Sequence, residues 1–332
     1  MNRMDHGDGA IGPKTRKLVV AFPALDEEKK QLITDHVGSL GFSVVFCDDQ
    51  EQALKEAADA EVVFGMNAGL AKAGNSVRWA CTPSAGVDHF LPVIEGTDIQ
   101  LSNSSGAYGL TIAEHIVMVT LEIMRRRPEY VNLVRERIWK NDLPISSIHD
   151  AAITFVGTGD IGKQAAMRMK AFGPRSMTGV NRRGQNPDGL FDRIVTLDEI
   201  DKVLPETDLL ILSLPSTKET IGLLTEERLR LLPKGAFLVN VGRGNVLDEK
   251  VLERMLRDGD LAGAALDVFE KEPLDADNTL WDCPNLVLTT HVAGNWTLPY
   301  TVNRIVEMFL ADFTRYCNGE PLHNRVDLTA GY

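Results

Sequence analysis

Six stretches in the second half of this chain carry groups able to hold an anion, fix a carbonyl and move a proton. They are the glycine-rich turn 157–162, Asn181-Arg182-Arg183, Leu214-Pro215-Ser216, Gly242-Arg243-Gly244, Asp267 and His291. Each follows a short apolar run that reads as a β-strand, so each falls at a strand's carboxyl end. In an open parallel sheet, ligands bind outside those ends. His291 is the group among them that titrates near neutrality, and so can act as proton donor in one direction and acceptor in the other. Arg243 is always charged, and its forked guanidinium suits a carboxylate and a polarised carbonyl. Glu272, in the acidic turn Glu270-Lys271-Glu272-Pro273, is a candidate carboxylate partner that would favour the imidazolium form of His291. Taken singly, Glu272 reads equally as a solvated charge and His291 as a packed structural histidine. Gathered on one sheet edge with Arg243, they read as a site.

The turn itself is GTGDIG, from Gly157 through Thr158, Gly159, Asp160 and Ile161 to Gly162. An apolar run (153–156) precedes it and a helix-compatible run (163–172) follows. Gly157 lets the chain turn tightly, Gly159 lets backbone approach a pyrophosphate, and Gly162 lets helix pack on strand. Amides at the helix start then face the anion. Glycine-rich turns also occur as plain loops and in methyltransferase-like folds; the flanking strand and helix favour a nucleotide site. Nineteen residues beyond Gly162, where an acidic residue would bond the ribose hydroxyls of NAD, stands Asn181, followed by Arg182 and Arg183. A carboxylate repels a 2′-phosphate and arginine forks match it, so NADP(H) is the expected cofactor, with NAD(H) possible. Thr220, Val241 and Gly294 join the expected cofactor contacts with Leu214, Pro215 and Gly242.

The elements that must position these groups alternate strand and helix throughout. In the first half, LVVAF (18–22), SVVFC (43–47), EVVFG (61–65), 78–82 and 99–102 are strand-like, with a helix over 27–40 ended near Gly41. No GxGxxG lies there, but two loops rich in small residues do, TPSAGVD (82–88) and NSSGAYG (103–109). Free amides in such loops can hold a carboxylate. The longest apolar helix is expected over 110–124, with Glu114 and His115 read as packing rather than catalytic. The arginines 125–127 are read as a solvated helix end. A second amphipathic run reaches Trp139, and 140–150 reads as a linker. Beyond the glycine turn, strands are expected at 177–180, 193–195, 208–214, 236–241, 262–268 and 286–289, with a capping box at Thr196 and Glu199 and a helix over 249–258 ended by Gly259. With the strand before Gly157 they make a seven-stranded doubly wound sheet. The fold class is α/β.

At 332 residues the chain has room for two cores. A net charge of −12 and a pI near 5.1 argue against nucleic acid or an anionic membrane as partner. Cys47, Cys81, Cys283 and Cys317 are scattered, without CxxC, which argues against a disulfide framework or a metal site and for reduced thiols in a cytoplasmic enzyme. No run approaches the ~20 apolar residues of a membrane span. Residues 1–16 lack the apolar core of a signal peptide and read as a flexible leader.

VNVGRGNVLDE (239–249), ALDVFEKEPLD (265–275) and TTHVAG (289–294), in this order after GTGDIG, closely resemble the D-isomer-specific 2-hydroxyacid dehydrogenases, which include glyoxylate/hydroxypyruvate reductases. The resemblance runs over nearly the whole chain from about Leu18. It implies NAD(P)H-dependent reduction of a small 2-oxo acid to the D-2-hydroxy acid, with Arg243, Glu272 and His291 as the catalytic triad. It implies a Rossmann cofactor domain (104–294) inserted into a flavodoxin-like substrate domain (17–103 and 295–332). The substrate carboxylate would meet the loop of Ser84, Ala85 and Gly86, Asp267 would hold the nicotinamide carboxamide, and homodimers would pair through about 110–150. Tyr108, and Trp296 with it, are candidate walls of the substrate pocket. Two departures from the family pattern are Thr290, where proline commonly precedes the histidine, and His149-Asp150, where many members have Gly-Lys. The alternative from another class is a non-catalytic, NAD(P)(H)-sensing corepressor-like protein on the same fold.

Overall fold

The computed structural model describes residues 16–332, so the expected leader lies almost wholly outside the described residues; Arg16 already opens the first strand. The chain divides into two compact units. Among the described residues, one holds 16–104 together with Val302–Leu328; the other holds Ser105–Thr301 and Thr329–Tyr332. The second segment of the first unit thus starts at Val302 where the sequence suggested 295, and the last four residues group with the cofactor unit.

In the first unit, β1 (Arg16–Ala21), β2 (Phe42–Phe46), β3 (Val62–Gly65), β4 (Trp79–Cys81) and β5 (Gln100–Ser102) form a parallel sheet in the order β2-β1-β3-β4-β5. That is the flavodoxin-like order of a doubly wound fold. The valine-rich runs of β1 and β3 are buried almost throughout, as expected of strands covered on both faces. Helix Glu27–Ser39 starts where the Asp26 side chain accepts from Lys29 N at 2.9 Å, and Gly41 past its end takes φ +81°. Helix Pro299–Cys317 lays Phe309 and Phe313 on this sheet: Phe309 stacks on Phe64 at 4.2 Å, and Phe309 and Phe313 each reach the fully buried Trp79. The indole of Trp79 donates to Ser102 Oγ at 2.9 Å, which removes the cost of burying its N–H.

In the second unit, β6 (Ala152–Val156), β7 (Ser176–Val180), β8 (Arg193–Val195), β9 (Leu209–Leu212), β10 (Ala236–Asn240), β11 (Leu261–Leu266) and β12 (Leu286–Leu288) form one parallel sheet. The order β12-β11-β10-β9-β6-β7-β8 is doubly wound and reverses between β6 and β9. The seven strands sit where the periodicity puts them, within a residue or two at each end. The central strands β6, β9 and β10 are buried along their whole length. Helix Gly109–Met124 covers one face of this sheet, burying Ile112, Ala113, Ile116, Val119 and Ile123. The capping box at Thr196 and Glu199 is present, and Gly259, at φ +73°, ends helix Glu249–Asp258. No helix among the described residues is long and apolar enough to cross a membrane, and all four cysteines are free.

Candidate active site

At the carboxyl end of β10 the chain turns at Gly242-Arg243-Gly244, and Asn240 shapes the turn. Asn240 is completely buried; its Nδ2 donates to Arg243 O at 2.9 Å and its Oδ1 accepts from Gly242 N at 3.0 Å. The Arg243 guanidinium donates back to Gly242 O at 2.8 Å. Gly244 is fixed by a neighbour, not by φ: a Cβ there would stand 1.9 Å from Phe269 C and 2.2 Å from Glu270 N. Only a glycine lets the Arg243 turn lie against this backbone, the segment that leads to Glu272.

Glu272 and His291 meet directly. His291 Nδ1 lies 2.7 Å from Glu272 Oε2, while Glu272 Oε1 accepts from Phe269 N at 2.9 Å. One carboxylate oxygen therefore orients the ring and the other anchors the carboxylate to its own loop. With Nδ1 engaged, Nε2 is the nitrogen left to exchange a proton, and the side chain is half-exposed. His291 sits at φ +56°, a left-handed conformation that costs a non-glycine residue about 1–3 kcal/mol and persists only where the surroundings impose it.

Asp267 imposes it. Its backbone oxygen accepts from His291 N at 2.8 Å. Its buried carboxylate accepts from Thr289 Oγ1 at 2.6 Å, Val292 N at 2.9 Å and Ala293 N at 3.0 Å. Thr289 spends its only proton on Asp267, so His115 Nε2 donates to it across 3.3 Å. Burial pushes the His115 imidazole below its ordinary pKa, against the charge of Asp267, so this histidine stays neutral. His115 is thus a hydrogen-bonded support beneath the loop that carries His291. Thr290, in the place of the family's proline, is exposed and leaves this network whole.

On the same sheet edge, the glycine turn lies at the reversal of strand order. Gly157, at φ +104°, packs so closely that a Cβ would meet Ser213 O at 2.8 Å, and a Cβ on Gly162 would meet Gly157 O at 2.0 Å. Gly159 differs: nothing lies within 4 Å of where its Cβ would be. No side chain caps helix Asp160–Met169, whose N-terminus starts at Gly159. This open cradle at a helix N-terminus fits a pyrophosphate. At the end of β7, Asn181 bonds Thr158 Oγ1 at 2.8 Å and Arg183 N at 3.0 Å, making a turn from which exposed Arg182 and Arg183 project. Thr220 does something the sequence did not suggest. Its buried hydroxyl donates to Pro215 O at 2.6 Å and accepts from Thr217 N at 2.8 Å, so it shapes the loop after β9. Gly242 packs on the same loop, where a Cβ would meet Leu214 O at 2.6 Å.

Tyr108 is buried and its Oη accepts from Trp296 Nε1 at 2.7 Å; burial pushes the phenol up to about 12, so it stays neutral. Gly294 leaves room for this ring, since a Cβ there would approach Tyr108 Cδ1 to 3.0 Å. In the first unit, the loop after β4 is held by Ser104 N donating to Ser84 O at 2.9 Å and Asn103 Nδ2 donating to Ala85 O at 2.8 Å. Gly86 N donates to Ser84 Oγ at 3.1 Å.

The family model described as D-isomer specific 2-hydroxyacid dehydrogenase, NAD binding domain, matches residues 117–293. A glyoxylate reductase of Korarchaeum cryptofilum is 31% identical over 290 residues, covering 85% of this chain and 83% of that protein. The crystal structure of a D-isomer specific 2-hydroxyacid dehydrogenase family protein from Aeromonas salmonicida superposes with a TM-score of 0.83 at 31% identity, covering 95% of this chain and all 100% of that one. An NADPH-dependent glyoxylate/hydroxypyruvate reductase from Sinorhizobium meliloti, in complex with NADP and sulfate, superposes with a TM-score of 0.78 at 25% identity, covering 96% and 100%.

Proposed function

Since this chain belongs to the D-isomer specific 2-hydroxyacid dehydrogenase family, we propose that it reduces a small 2-oxo acid to the D-2-hydroxy acid at Arg243, Glu272 and His291, with NADP(H) as preferred cofactor. The observation that carries this reading is the 2.7 Å pair of His291 and Glu272, set on the sheet edge that also carries the glycine cradle. When bound, reduced nicotinamide supplies the hydride that reaches C2 of the substrate. The protein supplies the rest. Arg243 holds the substrate carboxylate and draws electron density toward the carbonyl oxygen. Protonated His291 gives its Nε2 proton to that oxygen as it becomes a hydroxyl, and Glu272 stabilises the charged ring and fixes its orientation. In oxidation the neutral ring takes the hydroxyl proton instead. Asp267 holds the loop that carries His291.

Arg182 and Arg183 select the 2′-phosphate. Replacing both with Ala is expected to lower the ratio of kcat/KM with NADPH to that with NADH by about tenfold or more, since each fork loses charge-assisted hydrogen bonds. The assay follows reduced-nicotinamide absorbance with glyoxylate, hydroxypyruvate, pyruvate, phenylpyruvate and branched 2-oxo acids. An unchanged ratio would refute the cofactor assignment, and no turnover with any acid would refute the reaction.

The protein pairs as a homodimer through the region 110–150. Helix Arg127–Arg135 buries none of its residues, and Met118, Val134, Ile138, Trp139 and Ile145 are all exposed, with Trp139 at 97%. So much exposed apolar surface in one stretch of chain supports this pairing. Light scattering is expected to give twice the chain mass, and Trp139→Asp to shift it toward the monomer; a monomeric wild type contradicts the pairing.

A further inference from the structure

The segment Thr329–Tyr332 groups with the cofactor unit, and the central carbon of the Arg182 guanidinium lies over the Tyr332 ring, 5.1 Å from its centroid. Both side chains are exposed, so the contact is no by-product of core packing. A ring covers the face of a guanidinium and leaves free its in-plane N–H edge, the part that forks onto phosphate oxygens. The backbone beneath Arg182 is already held, because Asn181 closes the turn with hydrogen bonds to Arg183 N and Gln185 N. Glu219 lies close enough to matter: a hydrogen bond from Thr217 and, to a lesser degree, the charge of Arg182 hold its carboxyl below the ordinary range. The long Arg182 side chain would otherwise fold toward this carboxylate or swing freely.

We propose that Tyr332 is a positioning residue for cofactor selection, stacking on Arg182 so that its N–H edge is presented to the 2′-phosphate of NADP(H). The proposal rests on the assignment of Arg182 to that phosphate. A guanidinium held in place before binding loses less rotamer freedom when it clamps its ligand, so the ring strengthens binding without touching the cofactor. NAD(H) has no 2′-phosphate and gains nothing from it.

Steady-state kinetics of Tyr332→Ala, Tyr332→Phe, Arg182→Ala and the Tyr332→Ala/Arg182→Ala double variant, each with NADPH and with NADH, test this. Tyr332→Ala is expected to raise KM for NADPH about two- to fivefold relative to KM for NADH, the size of an exposed cation–π contact, with kcat following neither. Tyr332→Phe keeps the ring and is expected to restore the wild-type ratio. The double variant is expected to behave as Arg182→Ala alone, because the ring acts only through the arginine. If Tyr332→Ala leaves the ratio unaltered, or weakens both cofactors alike, while Arg182→Ala lowers it, the positioning role is overturned and the arginine assignment stands. If Arg182→Ala also leaves the ratio unaltered, the assignment itself falls, and the role of Tyr332 with it.

Discussion

His291→Ala is expected to lower kcat for 2-oxo acid reduction by about 10²–10⁴-fold, the range for losing a positioned general acid. NADPH affinity, read by quenching of tryptophan fluorescence, is expected to stay within about twofold of the native protein. The two halves of this result belong together. The imidazole meets Glu272 at the end of the 265–275 segment, whereas the pyrophosphate cradle is built from Gly157, Gly159 and Gly162. Losing the ring should therefore remove proton transfer without dismantling the cofactor site. Retained NADPH binding also shows that the variant folds, which matters because His291 occupies a left-handed backbone position that alanine tolerates poorly. Asparagine, which accepts that conformation more readily, provides a second variant with the same expected loss. Turnover within about tenfold of wild type in both variants would remove His291 from the chemistry.

Arg243→Ala is expected to lower kcat/KM by about 10²–10³-fold, through KM and kcat together, since one group binds the carboxylate and polarises the carbonyl. Arg243→Lys keeps the charge but loses the planar fork, and should recover only a minor part. The turn should survive either change, because the two Asn240 hydrogen bonds to the backbone of Gly242 and Arg243 remain when the arginine's own bond to Gly242 O is lost. Added guanidinium is expected to restore part of the Ala variant's rate and none of the Lys variant's. A change confined to KM would reduce Arg243 to a binding group.

The sequence made the sheet edge legible because strands carry their own signal. Runs such as EVVFG and AAITFV are apolar enough to be buried on both faces; the first ends at Gly65 and the second runs into Gly157, residues that had to lie at the edge. The supports behind the site were much harder to see. Asn240 is one residue of a buried strand, and nothing in its neighbourhood says that it holds both Gly242 and Arg243. Gly244 is required by Phe269 and Glu270, 25 residues or so away, and such contacts leave no periodic trace. Thr220 is among the expected cofactor contacts, and its hydroxyl is engaged by Pro215 O and Thr217 N, partners that the sequence does not reveal. His115 sits on an apolar helix and reads as packing, which is right as far as it goes. Its partner Thr289 lies 174 positions further along the chain, so its link to the His291 loop emerges only in three dimensions. Helix Pro299–Cys317 passed as part of a tail, because its defining contacts are those of Phe309 and Phe313 with Phe64 and Trp79.

Transfer of label to product tests the catalytic proposal most directly. The protein is incubated with hydroxypyruvate and NADPH carrying deuterium at both C4 positions of the nicotinamide, and the glycerate formed is analysed by mass spectrometry and chiral chromatography. Deuterium at C2 of D-glycerate, formed by the wild type and lost in His291→Ala, is the expected result. Glycerate without the label, L-glycerate, or no consumption of NADPH with any of the five 2-oxo acids would contradict it.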